Sequence, residues 1–262
     1  MSGNENQNKI ALISGGLGDI GKATALLLGK HGIRVAISDL YEESAVTAVL
    51  EEMRRGGCKN LHYCQADVTS ESNVARWLTA VKEKWGIPQI VVPNAGVVIS
   101  GSLTGDISTD EVQHQLNVNF WGSYHVAVQA AKLLKQGKLP GRIIFMGSWA
   151  AERPNARISA YCISKASVRM LCKAMALELA EFDILVNEVA PGIVEGGLSK
   201  KNQQKNPQLL QTHLISTPTH KLVPVEEIAK HVLWLSDFEN MSITGTTVVV
   251  DGGISITSKM TP

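Results

Sequence analysis

Residues 9–39 constrain the fold more tightly than any other stretch. Lys9-Ile-Ala-Leu-Ile-Ser14 is an apolar run of strand length, and Gly15-Gly-Leu-Gly-Asp-Ile-Gly21 follows without a gap. A helical pattern then runs from Lys22 to His31 and stops at Gly32. A second apolar run, Arg34-Val-Ala-Ile-Ser38, ends on Asp39. Strand, glycine-rich turn, helix, strand and acid, in that order, is the context that makes a glycine string a dinucleotide-binding turn. Gly15 allows the tight turn. Small residues near Gly18 let backbone amides approach a pyrophosphate at the helix N-terminus, and Gly21 lets that helix pack close to the sheet. Leu17, Asp19 and Ile20 complete the turn, and Asp39 and Leu40 stand at the end of the second strand. A carboxylate at Asp39 is placed to accept hydrogen bonds from the adenosine ribose hydroxyls. It would repel a 2′-phosphate, so NAD is expected over NADP.

The alternation continues to the end of the chain. Helical patterns cover 41–55, 70–85, 108–135, the stretch up to Leu179, and 224–235. Further strands are expected at 61–66, 89–92, 142–147, 184–190 and 246–250, while 193–221 reads as polar and irregular. Strands alternating with helices argue for an α/β fold with a parallel sheet covered on both faces. Right-handed crossovers make that sheet doubly wound. Seven strands are counted. No linker or repeat divides them, so residues 9–262 are expected to form one domain, after a polar lead over residues 1–8 that is expected to be disordered. In such sheets ligands bind outside the carboxyl ends of the strands. The glycine turn, Asp39, Asp67, Asn94, Ser148 and Pro191-Gly192 all follow strand ends and should share one rim.

Chemistry concentrates between Ser148 and Lys165. Ser148 follows an apolar strand, and Tyr161 and Lys165 stand four apart on one face of the next helix. An ammonium close to a phenol favours phenolate and should lower the tyrosine from its ordinary value of about 10. A phenol tuned that way exchanges a proton with an alcohol or a carbonyl near neutral pH, and a serine hydroxyl opposite could bond the same oxygen.

Composition removes several functions. Formal net charge is +1 across 262 residues, and Arg and Lys are scattered, so no field favours nucleic acid or an anionic membrane surface. No apolar run approaches the ~20 residues of a membrane span. Cys58, Cys64, Cys162 and Cys172 form no metal-ligand spacing, and no metal is expected. Reduced thiols and the lack of an export signal point to the cytoplasm.

In these residues the chain resembles the short-chain dehydrogenase/reductase family, in its single-domain branch, from Lys9 to Gly253. The motifs are Ser14-Gly15 with Gly21, Asp67-Val68, Asn94-Ala95-Gly96, Asn119, Ser148, Tyr161-x-x-x-Lys165, Asn187 and Pro191-Gly192. The resemblance implies a Rossmann-type sheet and reversible hydride transfer between a secondary alcohol carbon and a nicotinamide. Tyr161 would be the acid/base, and Ser148 would orient the reacting oxygen. Lys165 would tune Tyr161 and bind the nicotinamide ribose, and Asn119 would hold a water in a proton relay. Asp67, Val68, Asn94, Ala95 and Gly96 would flank the adenosine and the ribose, and the backbone of Ile193 would meet the carboxamide. Homodimers or homotetramers are implied, with contacts expected through the helices at 108–135 and 159–180 and the C-terminal segment.

Two departures from the family pattern bear on the site. Asp19 stands where the family has its middle glycine, and is expected to turn away and cap the helix. Gly196 stands where a carboxamide-binding Thr is usual. Residues 193–221 are expected to cover the substrate. Lys200, Lys201, Gln203, Gln204, Lys205, His213 and His220 there, with Trp149, Glu152, Arg153 and Asn155 after Ser148, suit a sugar, polyol or sugar acid. The alternatives are an apolar ketone of acyl or steroid type, or a non-catalytic NAD-binding sensor or assembly subunit.

Overall fold

The computed structural model describes residues 8–197 and 207–257, with the side chain of Pro207 excepted. The expected lead falls outside them apart from Asn8, as do Lys200, Lys201, Gln203, Gln204 and Lys205 of the flap.

The apolar runs form the strands β1 (Ile10–Ser14), β2 (Arg34–Asp39), β3 (Leu61–Gln65), β4 (Ile90–Val92), β5 (Gly141–Met146) and β6 (Ile184–Pro191). Two short strands, β7 (Val194–Glu195) and β8 (Val223–Pro224), pair with each other, and β9 (Thr247–Val250) returns to the main sheet. The main sheet has seven strands in the order β3-β2-β1-β4-β5-β6-β9, and all its pairings are parallel. The chain winds outward from β1 to β3, then returns to β4 on the other side of β1. The order reverses between β1 and β4, which opens a crevice above their carboxyl ends. This is a doubly wound, Rossmann-type sheet.

The period-two alternation of side chains assigns each strand residue to a layer. Ala11 and Ile13 of β1, with Ile144 and Met146 of β5, pack with Ala25 and Leu28 of α1 (Asp19–Lys30). Val46 and Leu50 of α2 (Glu43–Arg55) join that layer, as do Ile228 and Val232 of α8 (Val225–Leu235). Ile10 and Leu12 of β1, with Ile143 and Phe145 of β5, face the other way. There they meet α3 (Glu71–Trp85), α5 (Gly122–Gly137) and α6 (Ser159–Leu179) through Trp77, Val126 and Val168. Both faces are covered, as near-continuous apolar strands require.

The structure corrects the sequence reading in two places. The helix expected over 108–135 is α4 (Thr109–Leu116), a π-helical turn at Asn117–Trp121, and then α5. In that turn the Gly122 N–H bonds the carbonyl of Asn117 five residues back. Such a widened turn leaves no mark on a 3.6-residue hydrophobic period. The segment 193–221 is not irregular throughout, because it holds β7, β8 and the helix α7 (Pro207–Ser216). Helix α7 is only weakly amphipathic, so its sequence carries little periodic signal. Among the described residues no helix is long and apolar enough to cross a membrane.

Candidate active site

The glycine turn and the Asn94 loop are bound into one unit. The Asn94 side-chain amide donates to the carbonyls of Ser14 at 2.9 Å and Gly15 at 3.0 Å. The Ser14 hydroxyl accepts from the N–H groups of Asn94 and Ala95 at 3.0 and 3.2 Å. Gly15 has φ +63°, and a Cβ on it would lie 2.8 Å from Ala95 Cα. A Cβ on Gly21 would overlap the Gly15 carbonyl, so α1 approaches the turn at a distance only glycine permits. Gly18 occupies the N-cap position of α1, is exposed, and carries no side-chain cap. The first amides of α1 therefore open on a bare, solvent-facing surface beside the crevice, which fits a dinucleotide pyrophosphate.

Asp39 lies at the end of β2, partly exposed. Its Oδ2 accepts from the Leu17 N–H at 3.1 Å and its Oδ1 from the Leu40 N–H at 2.9 Å. Leu40 itself is exposed. Asp67 accepts from the backbone and hydroxyl of Thr69 at 2.9 and 2.8 Å, and Val68 is buried where a Cβ on Gly122 would meet it. Ile20 is half-buried in the first turn of α1. Pro191 is buried at the end of β6, Gly192 packs against Asp251 with no room for a Cβ, and Ile193 is half-buried.

Asp19 departs from the sequence expectation. The cap position belongs to Gly18, and Asp19 is the first residue of the helix. Its Oδ2 accepts from the Gly197 N–H at 2.9 Å, and a Cβ on Gly196 would lie 3.0 Å from that oxygen. Gly196 and Gly197 have φ of +129° and +59°, a backbone that favours glycine. The two departures from the family pattern thus form one contact, which ties the start of the flap to the start of α1.

Across the crevice, Ser148, Tyr161 and Lys165 come together with Asn119 and Gly96. Ser148 lies two residues beyond β5 and caps a short 3-10 turn, Trp149–Ala151, and its hydroxyl accepts from the Ala150 N–H at 3.1 Å. Tyr161 and Lys165 lie one turn apart on α6, with the lysine nitrogen 5.7 Å from the centre of the tyrosine ring. Lys165 is buried and donates to the carbonyl of Met146 at 2.8 Å. Asn119, in the π-helical turn, accepts from the Val97 N–H at 2.8 Å and donates to the Val97 carbonyl and the Ser164 hydroxyl, both at 2.9 Å. A Cβ on Gly96 would lie 3.3 Å from Asn119 Oδ1 and 3.7 Å from Lys165 Nζ.

The electrostatics of this cluster differ from the sequence expectation. Tyr161 is partly exposed, yet enough protein surrounds it that burial pushes its phenol up to about 12, against the lowering effect of a hydrogen bond with Ser148. Burial pushes Lys165 down to about 8, against the raising effect of Glu188. The lysine does not pull the tyrosine down here. Its nitrogen points to the Met146 carbonyl, and desolvation penalises phenolate and ammonium alike.

Sequence reasoning missed the residues that support this cluster. The Met146 carbonyl and Ser164 belong to no motif read from the sequence, Ser14 was read only as the start of the glycine-turn motif, and neither Arg169 nor Glu188 was singled out. A charge in a strand that is buried along its whole length is a signal that could have been read.

A family model described as enoyl-(acyl carrier protein) reductase matches residues 16–255. The chain is 33% identical to a short-chain dehydrogenase/reductase of Armillaria gallica, over 95% of this chain and 97% of that one. It is 27% identical to glucose 1-dehydrogenase 2 of Bacillus subtilis, over 95% of both chains. It also superposes, with a TM-score of 0.87 and 26% identity, on a gluconate 5-dehydrogenase of Burkholderia cenocepacia in complex with NADP and tartrate. That match covers 95% of this chain and 96% of the other.

Proposed function

The chain belongs to the short-chain dehydrogenase/reductase family, and from that premise we propose that it interconverts a secondary alcohol and a ketone with NAD(H), on a polar hydroxylated substrate such as a sugar, polyol or sugar acid. The observation that carries the reaction type is the meeting of Ser148, Tyr161 and Lys165 at the end of β5, beside the Asn94–Gly96 loop. The nicotinamide, when bound, accepts or supplies the hydride. The chain's own residues do the rest. Tyr161 passes the proton to or from the reacting oxygen, and Ser148 donates a hydrogen bond to that oxygen and fixes its place. Lys165 supplies positive charge below the tyrosine and bonds the nicotinamide ribose. Asn119, held by Val97 and Ser164, keeps its turn open for a relaying water. Leu17, Gly18, Ile20 and the Asp67–Val68 and Pro191–Ile193 strand ends complete the dinucleotide crevice. Raising the phenol by burial suits reduction, in which Tyr161 must hold its proton until the carbonyl oxygen takes it. In oxidation Tyr161 must lose that proton, which needs the neighbouring cation to offset its burial.

Asp39 supports NAD. Its carboxylate is fixed by two backbone amides at the end of β2, and a 2′-phosphate there would face a held negative charge. The NADP bound to the gluconate 5-dehydrogenase stands against this reading. Fluorescence titration decides it: NADH should bind at least about tenfold more tightly than NADPH, and the reverse order overturns the assignment. For the substrate, the polar side chains after Ser148 support the reading, as does similarity to proteins named for glucose and gluconate. A panel of polyols and sugar acids against apolar ketones tests it.

We further infer that residues 9–262 act as one cytoplasmic domain that assembles with copies of itself. Ile163, Met170 and Leu177 of α6 and Trp121 beside α5 expose apolar surface on one face. At the edge of the sheet β9 exposes Val249, and Trp234 of α8 is exposed as well.

A further inference from the structure

Arg169 extends the catalytic face of α6 by one turn, following Tyr161 and Lys165 at the same four-residue spacing. Its guanidinium forks. Nε donates to Glu188 Oε2 at 2.9 Å and Nη2 to Glu188 Oε1 at 3.1 Å, while the same Nη2 donates to the backbone carbonyl of Ser148 at 3.0 Å. Nη1 reaches Glu152 at the surface, 3.4 Å away.

Glu188 lies on β6 and is 0% exposed. Its Oε2 also accepts from the Thr247 hydroxyl of β9 at 2.8 Å. The carboxylate packs flat against Gly147, and any Cβ on that residue would overlap it. The Gly147 N–H in turn bonds the Val189 carbonyl on β6. The dipeptide Gly147-Ser148 is therefore held from β6 below, and from α6 through the guanidinium.

We propose that Arg169 and Glu188 are a positioning pair that fixes the backbone at Gly147 and Ser148, and so aims the Ser148 hydroxyl at Tyr161. A buried ion pair is poor evidence of stabilisation, since apolar residues of similar volume often replace one without loss. What such residues cannot replace is the planar fork, which bonds a carboxylate and a carbonyl at once. A strand end is where the backbone ladder stops, so Ser148 needs a separate anchor. Helix α6 carries Tyr161 and Arg169 together, so one rigid element sets both partners of the reacting oxygen. Glu188 also faces Lys165, which it favours in the charged form.

The inference rests on the reading of Ser148 as the partner of the reacting oxygen, and its test separates the two. The variants are R169M/E188M, which removes both charges and keeps volume, and R169K, which keeps the charge and loses the fork. The measurements on the full chain are melting temperature, hydrogen exchange at the Ala150 amide (whose partner is the Ser148 hydroxyl), and kcat and KM with NAD(P) and a secondary alcohol that the wild type turns over. In the double variant the expected result is a near wild-type melting temperature, Ala150 exchange faster by roughly tenfold or more, and kcat lower by about 10²-fold, while the dinucleotide KM stays unchanged in R169K, which keeps Glu188 beside Lys165. R169K should move in the same direction by about tenfold at unchanged stability, and it alone decides if the double variant does not fold. Wild-type exchange and kcat in a folded double variant, or in R169K, overturn the proposal. If the wild type turns over no alcohol, the catalytic reading of Ser148 fails, and the Ala150 exchange still decides whether the pair positions it.

Discussion

Tyr161 and Lys165 occupy a pocket that opposes both of their charged forms. Lys165 is held at about 8, against an ordinary 10.5. Between those values the unfolded chain keeps a proton that the folded chain has released, so the lysine's contribution to stability rises with pH across that window. Below about 8 its burial costs on the order of 3 kcal/mol at most. Replacing it with methionine should therefore raise the melting temperature at pH 7 by a few degrees while abolishing turnover. The advantage of Lys165→Met over the wild type should shrink as pH rises from 7 to 9.5. Thermal melts at several pH values check this, and a pH-independent difference would mean that Lys165 is not desolvated as described. The same tension suggests what a dinucleotide adds: a ribose that bonds the ammonium would draw Lys165 from the Met146 carbonyl towards the tyrosine.

At the scale of the element, the π-helical turn between α4 and α5 is the part of the site that its neighbours over-determine. Asn119 is fully buried there and satisfies both backbone groups of Val97. Asn119→Ala leaves those half-buried groups without their partner, at up to about 1–3 kcal/mol for each. By contrast, the capping box of Ser108 and Glu111 at the start of α4 lies at the surface, and Ser108→Ala should cost only about 1 kcal/mol. Urea denaturation of the two variants should rank them in that order, and only Asn119→Ala should lower kcat. Equal effects on stability would show that Asn119 is not the point that fixes the turn.

At the scale of the whole molecule, the sheet gathers residues from six strand ends onto one rim and leaves apolar surface elsewhere. Leu177 is 85% exposed and Met170 64% exposed on α6, which is costly to solvate in an isolated chain. Light scattering should find at least a dimer. Met170→Lys with Leu177→Lys should reduce the oligomer if the α6 face is the contact. An unchanged assembly in that variant would move the contact to the β9 edge.

The sequence determined the sheet. Seven apolar runs were legible as strands because a parallel strand covered on both faces must be apolar throughout, and their boundaries agree with the structure to within one residue at Ser14, Arg34, Leu61, Val92, Ile184 and Val250. The rim was legible for the same reason, since each motif follows a strand that the pattern had already placed. Tertiary structure decided what the motifs touch. Asp19 reads as a cap in sequence because a carboxylate at a helix start commonly is one, and it bonds Gly197 because the chain brings residue 197 back to residue 19 through the fold. The lowering of Tyr161 expected from a four-residue spacing depends on solvent access as well as distance, and desolvation is set by every element packed around the pair. Arg169 and Glu188 are 19 residues apart in the chain, and nothing local pairs them. Only the packing of α6 on β6 makes them one group under Ser148.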